Sequence, residues 1–251
     1  MAARDGLAKR YLDVVARRMG VGPEHLEETS CSPSDLSTLG RLVSELAHLN
    51  DEDWVDYAFL HEPMRGRLDW DDRRNLSAKA AECGRRQAQE CIERFGTQIP
   101  SELVAPLGLT MGTSLEDTDA LRVLFAEYVA SERSIRICED AVGRATRLLD
   151  QAEVAQAFGG PFRIREVLVG HELYHAIEVE RGVWTQTYRL PLWKVGPLGH
   201  SARVSCLSEV AAMSFTRCLN GLDWSPYVLD VLLTYEYSER AALGLYDEMR
   251  S

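Results

Sequence analysis

Three residues within Val169-Gly-His-Glu-Leu-Tyr-His-Ala-Ile-Glu178 stand at a spacing that can do chemistry: His171, Glu172 and His175. Two residues four apart share one face of an α-helix, so on a helix both imidazoles point at the same spot. Zinc accepts imidazole nitrogen at about 2.0–2.1 Å, and the intervening glutamate can reach a water beside the metal. Val167, Leu168, Val169, Ile177 and Val179 surround the pattern and mark a mostly buried helix. Two polar rings in such a helix need a reason; the competing one is a pair of core histidines satisfied by hydrogen bonds.

One helix cannot surround a metal, and a catalytic zinc takes three protein ligands with a fourth position open. Ser208-Glu209-Val210-Ala211-Ala212 offers Glu209 from a second helix, and Ala212 is small enough for that helix to approach closely. Val204, Leu207, Val210, Ala211 and Phe215 argue against Glu209 being an ordinary surface residue. Glu178 shares nearly the same face as His171 but lies about 4.5 Å further along the axis than His175. Its expected place is beside the ligands, as a partner of one of them or a pocket charge. His200, Arg203, Tyr188 and Tyr227 are the candidate donors to a developing oxyanion or to substrate. Ligand type leaves the metal open, because two histidines and a carboxylate also suit Fe(II).

These residues require elements to hold them. Leu7, Tyr11, Leu12, Val15 and Met19 predict a helix over 5–19 that stops at Gly20. Ser32-Pro33-Ser34-Asp35 starts another, with Leu36, Leu39, Val43, Leu46 and Leu49 as its stripe. Trp54, Tyr57 and Ala58 suggest a short helix after Asp51. Residues 61–74 read as a charged loop in which His61 and Glu62 are solvated surface. A helix is expected from Asn75 to Phe95, stopped by Gly96, and a shorter one after Pro100.

Residues 110–119 read as a polar loop. Leu121–Val129 and Ile135–Cys138 read as strands joined by a turn at Ser131-Glu132-Arg133, an antiparallel hairpin. One helix is expected over Glu139–Phe158, and after Gly159-Gly160-Pro161 the motif helix runs from about Arg163 to Glu180. Trp184–Leu190 suggests a strand, and Pro191 and Pro197 mark loop. Helices over Ala202–Leu219, after Ser225-Pro226, and over Glu239–Met249 complete the chain.

The expected class is α+β, predominantly α-helical, with a small antiparallel sheet beside the metal-binding helix. The expected division is a helical region over 1–96 and a metal-binding domain over 97–251. With 45% hydrophobic and 27% charged residues in 251, the chain can bury a sizeable core. A net charge of −11 argues against a nucleic-acid or anionic-membrane surface as the main partner. A charged, helix-like N-terminus and the lack of a long apolar run predict a cytoplasmic protein. Its six scattered cysteines are expected to be free thiols.

Taken together, His171-Glu172-x-x-His175 followed by Glu209-x-x-Ala212-x-x-Phe215 resembles the zincin metallopeptidases with a glutamate third ligand, most nearly the ImmA/IrrE-like family. The resemblance spans about Ile99 to Leu219, with Thr216 where that family usually has alanine. It implies a zincin-like core in which a helix and a hairpin precede the metal helix. It also implies Zn2+ held by His171, His175 and Glu209, and Glu172 as general base. A peptide or protein substrate would lie beside an edge strand, for which Ser134–Cys138 is the expected segment. The alternatives are a metalloenzyme acting on a small molecule and a regulatory or binding protein that keeps the zincin core.

Overall fold

The computed structural model describes residues 33–113, 125–195, 198–235 and 238–250. The helix expected over 5–19 and the start of the strand expected from Leu121 lie outside them. Helix α1 (Pro33–Ala47) begins at the proline signal, and α2 (Val55–Ala58) is the short helix expected after Asp51. The charged segment that follows is more structured than its composition suggests. It holds a 3-10 turn (Arg65–Arg67), and then α3 (Trp70–Phe95) starts five residues earlier than Asn75. The cause is a capping box: the Asp69 side chain accepts from Asp72 N at 2.8 Å, and Asp72 accepts from Asp69 N at 3.3 Å. Gly96, at φ 71°, ends α3 in the left-handed conformation that glycine adopts freely.

After α4 (Pro100–Val104), strands β1 (Thr110–Thr113), β2 (Ala126–Val129) and β3 (Ser134–Ile137) form a sheet ordered β1-β3-β2. β2 and β3 are the antiparallel hairpin, with Tyr128 opposite Ile135. β1 pairs parallel to β3, from Thr110 opposite Ser134 to Thr113 opposite Ile137, so the first four residues of the stretch read as polar loop form a strand, and the rest of it lies outside the described residues. β3 is therefore the central strand, not the expected edge. Among the described residues the edges are β1 and β2.

The helix expected over Glu139–Phe158 is two, α5 (Glu139–Leu149) and α6 (Ala152–Ala157), broken where Gln151 turns extended. α7 (Ile164–Arg181) carries the motif and closes at Gly182. It is buried on several sides, by Ile164, Val167, Leu173 and Ile177 among others, as a central helix must be. Trp184–Leu190 is not a strand. Its first four residues form the single turn α8 (Trp184–Thr187), closed by Tyr188 N to Trp184 O at 2.8 Å. The prolines then hide a second hairpin, β4 (Leu190–Val195) with β5 (Leu198–Ala202). Pro191 is accommodated at a register irregularity between Pro191 and Trp193.

α9 (Cys206–Asn220), α10 (Val228–Tyr235) and α11 (Glu239–Arg250) follow. The most extensive helix contact among the described residues is α3 on α9. α3 meets it with small buried residues, Ala80, Ala81, Cys83, Gly84 and Ala88. At the crossing a Cβ on Gly84 would lie 2.1 Å from the carbonyl oxygen of Ala211, so the position admits glycine alone. One apolar cluster joins Leu39 and Val43 of α1, Ile135 of β3, Leu173 of α7, Phe215 of α9 and Leu232 of α10. No described helix is long and apolar enough to cross a membrane.

Candidate metal centre

The i, i+4 spacing on α7 brings the two imidazoles together as geometry demands, with His171 Nε2 and His175 Nε2 3.1 Å apart. α9 crosses close to α7 at Gly170, where a Cβ would meet Thr216 Cγ2 at 3.5 Å and Asn220 Nδ2 at 3.1 Å. That approach carries Glu209 to the histidines: Oε2 lies 3.2 Å from His171 Nε2, and Oε1 lies 3.6 Å from His175 Nε2. These donor atoms all lie within 4.8 Å of one another.

The distances can be tested against what zinc needs. Two ligands at about 2.0–2.1 Å, separated by the tetrahedral angle of about 109°, stand about 3.3–3.4 Å apart. The two imidazole nitrogens, 3.1 Å apart, lie close to that value, and Glu209 meets each histidine through a different oxygen, at 3.2 and 3.6 Å. The side chains of His171, His175 and Glu209 are 19%, 21% and 33% exposed, so the group reaches solvent and can leave a position open.

The electrostatics show the same need for positive charge. Burial disfavours the charged form of His175, yet Glu209, Glu178 and Glu172 outweigh it and hold its pKa well above 6.5. Burial would raise Glu209, but the charges of His175 and His171 hold it well below 4.5. A carboxylate and two imidazole nitrogens thus face one another at short range.

Glu178 stands behind the site, not in it. It is only 3% exposed and accepts from Ser208 Oγ at 2.6 Å and Thr185 Oγ1 at 2.7 Å. Burial would raise its pKa, but the hydrogen bond and charge of His175 keep it below 4.5. Ser208 Oγ also lies 3.3 Å from His175 Nδ1. Its one proton goes to Glu178, so it accepts Nδ1–H from His175 and leaves the Nε2 lone pair facing the donor set. Neither Ser208 nor Thr185 was anticipated. The signal for Ser208 was a hydroxyl on the buried face of the Glu209 helix.

Glu172 reaches the sheet, where its Oε2 accepts from Tyr128 N at 2.7 Å, and its charge still acts on His175. Cys138 N donates to Phe125 O at 3.0 Å, and the antiparallel alternation then directs the N–H and C=O of Ala126 and Tyr128 away from β3. β2 is thus the edge that meets the motif helix.

The four candidate donors stand differently toward the site. Arg203 Nη2 lies 3.6 Å from Glu178 Oε1, behind His175. Tyr227 is buried and stacks on Trp54 at 5.4 Å. Burial and the charge of Glu209 raise its phenol well above 10.0, and its hydroxyl has no hydrogen-bond partner among the described residues. Tyr188 packs on Trp184 at 5.1 Å, and the exposed His200 lies over Trp193 at 6.4 Å. Among the described residues none of the four hydrogen-bonds to the three-donor set.

Glu62 overturns the reading of its segment as solvated surface. It is 6% exposed and receives hydrogen bonds from Ser205 and Cys206 at the start of α9. A cavity of about 380 Å³ lies on another face of α9, lined by Trp54, Val210, Met213, Arg217 and Tyr227. None of His171, Glu172, His175 or Glu209 lines it. No protein-family model matches the chain, and no curated protein or solved structure is significantly similar to it.

Proposed function

We propose that the chain is a zinc-dependent hydrolase with a zincin-like core, acting most simply as a peptidase. The observation that carries this reading is the donor triangle. Two histidines on one helix and a carboxylate on another bring three potential ligand atoms within 4.8 Å of one another, and the group remains partly open to solvent.

His171, His175 and Glu209 would hold the ion, which supplies a Lewis acid and lowers the pKa of a water toward ~7. The rest is the work of side chains. Ser208 and Glu178 keep His175 in the tautomer whose Nε2 can bind. Glu172, next to a ligand in sequence, has Oε2 fixed by Tyr128 N–H, which leaves Oε1 as the atom that would take a proton from the attacking water and return it to the leaving amine. An extended peptide would find backbone partners along β2 at Ala126, whose N–H and C=O point away from β3, the Tyr128 N–H being already given to Glu172.

The test separates holding from turnover. Glu172→Gln is expected to retain zinc at the wild-type stoichiometry and to lose about 10²–10⁴-fold in kcat against a peptide substrate pool. Wild-type turnover by that variant would remove Glu172 from the mechanism.

A further inference from the structure

We propose that Glu62, a buried carboxylate from the other half of the chain, is a positioning residue for the metal centre. It fixes the first turn of α9, from which Ser208 and Glu209 reach the histidines. This inference rests on the metal-hydrolase reading.

A helix N-terminus leaves backbone N–H groups that need acceptors, and the usual remedy is the side chain of the N-cap residue. Ser205, the residue before α9, sits at φ −76°, ψ −30° in the helical region, and its side chain does not cap the helix. Glu62 does so from a distance in sequence. Its Oε2 accepts from Ser205 N at 2.7 Å, Ser205 Oγ at 2.9 Å and Cys206 N at 3.1 Å. Its Oε1 accepts from Met64 N at 3.0 Å. Both oxygens are engaged, one by its own loop and one by α9, so the carboxylate ties two segments together. Its negative charge also lies at the positive end of the α9 dipole.

The loop so tied is itself held. Arg65 and Arg73 reach Asp56 Oδ1 at 3.5 and 3.1 Å, joining the 3-10 turn and the start of α3 to α2. α9 is thus pinned at its end by Glu62 and along its side by the Gly84–Ala211 contact with α3. Glu209 lies in the first turn beyond the pinned end. The donor separations of 3.1–3.6 Å leave little room for that turn to rotate or slide.

The experiment compares metal binding by the full chain and by Glu62→Ala, Glu62→Gln and Leu39→Ala. Leu39 is a fully buried residue of α1, so its truncation lowers stability without touching the start of α9. Zinc affinity is read by chelator competition, the ligand field by the visible spectrum of the cobalt-substituted protein, and folding by thermal melting of the metal-free form. Glu62→Ala is expected to weaken zinc about 10–100-fold and to alter the cobalt spectrum. Glu62→Gln keeps an oxygen for Ser205 and Cys206 and should fall between; if the alanine variant does not fold, the glutamine variant decides. Leu39→Ala should melt earlier with wild-type affinity and spectrum. The proposal is overturned if a folded Glu62 variant binds zinc like the wild type. It is equally overturned if Leu39→Ala loses affinity as much as Glu62→Ala. A wild-type chain that takes up neither zinc nor cobalt overturns the metal reading itself, a separate and distinguishable failure.

Discussion

Ser208 carries a single hydroxyl proton, and where that proton goes decides what His175 can do. Donation to Glu178 commits His175 to the Nδ1–H tautomer. Ser208→Ala should therefore leave all three donors in place yet weaken zinc about tenfold, measured by chelator competition. The same residues set a pH dependence. Without metal, the charged His175–Glu209 pair stabilises the fold fully between the unfolded values of 4.5 and 6.5. That contribution fades as pH rises through the raised value of His175, and as pH falls through the lowered value of Glu209. Zinc must displace the His175 proton, so its affinity should rise with pH, with proton release seen by calorimetry in buffers of different ionisation enthalpy. An affinity flat between about pH 6 and 8 would contradict this. At this scale the sequence was informative where partners are local. The His171–His175 spacing follows from helix geometry alone, and the axial offset of Glu178 agrees with its bonds to Ser208 and Thr185. The bonds of Glu172 to Tyr128 and of Glu62 to Ser205 were not legible, because each joins residues far apart in sequence and neither partner has a pattern of its own.

The elements divide in the same way. α7 and α9 were readable because each is long and its apolar residues recur at helical spacing. β1 was not, because Thr110–Thr113 is short and largely exposed and gains its strand character only by pairing with β3. Reading β3 as the edge was wrong for the same reason: an unseen third strand changes which strand is central. α3 was mistaken at its start because Asp69 and Asp72 look like a charged loop until their reciprocal capping bonds are recognised. The prediction at this scale concerns Gly84. Gly84→Ala puts a methyl against the Ala211 carbonyl and must push α9 away from α3. We expect a loss of about 1–3 kcal/mol in chemical denaturation, with weakened zinc binding because Glu209 rides on α9. Unchanged stability would show that the two helices do not cross as closely as described.

Across the whole molecule, one apolar cluster runs through both halves of the chain, so the helices before Phe95 are part of the support for the site. That core also separates this protein from small zinc modules whose folding depends on metal. Stripping the metal should lower the thermal midpoint and leave a cooperatively melting, helical chain. The stabilisation regained on adding zinc at about 100 times its Kd is about 2.7 kcal/mol. A chain that loses its helical circular dichroism on chelation would contradict a metal-independent core. The central claim is simpler, and metal analysis of protein purified with no metal added tests it most directly. The account predicts about one zinc per chain in the wild type, lost in His175→Ala and in Glu209→Ala while both variants stay folded. A wild-type chain with no stoichiometric metal, or one whose metal survives both substitutions, would contradict it.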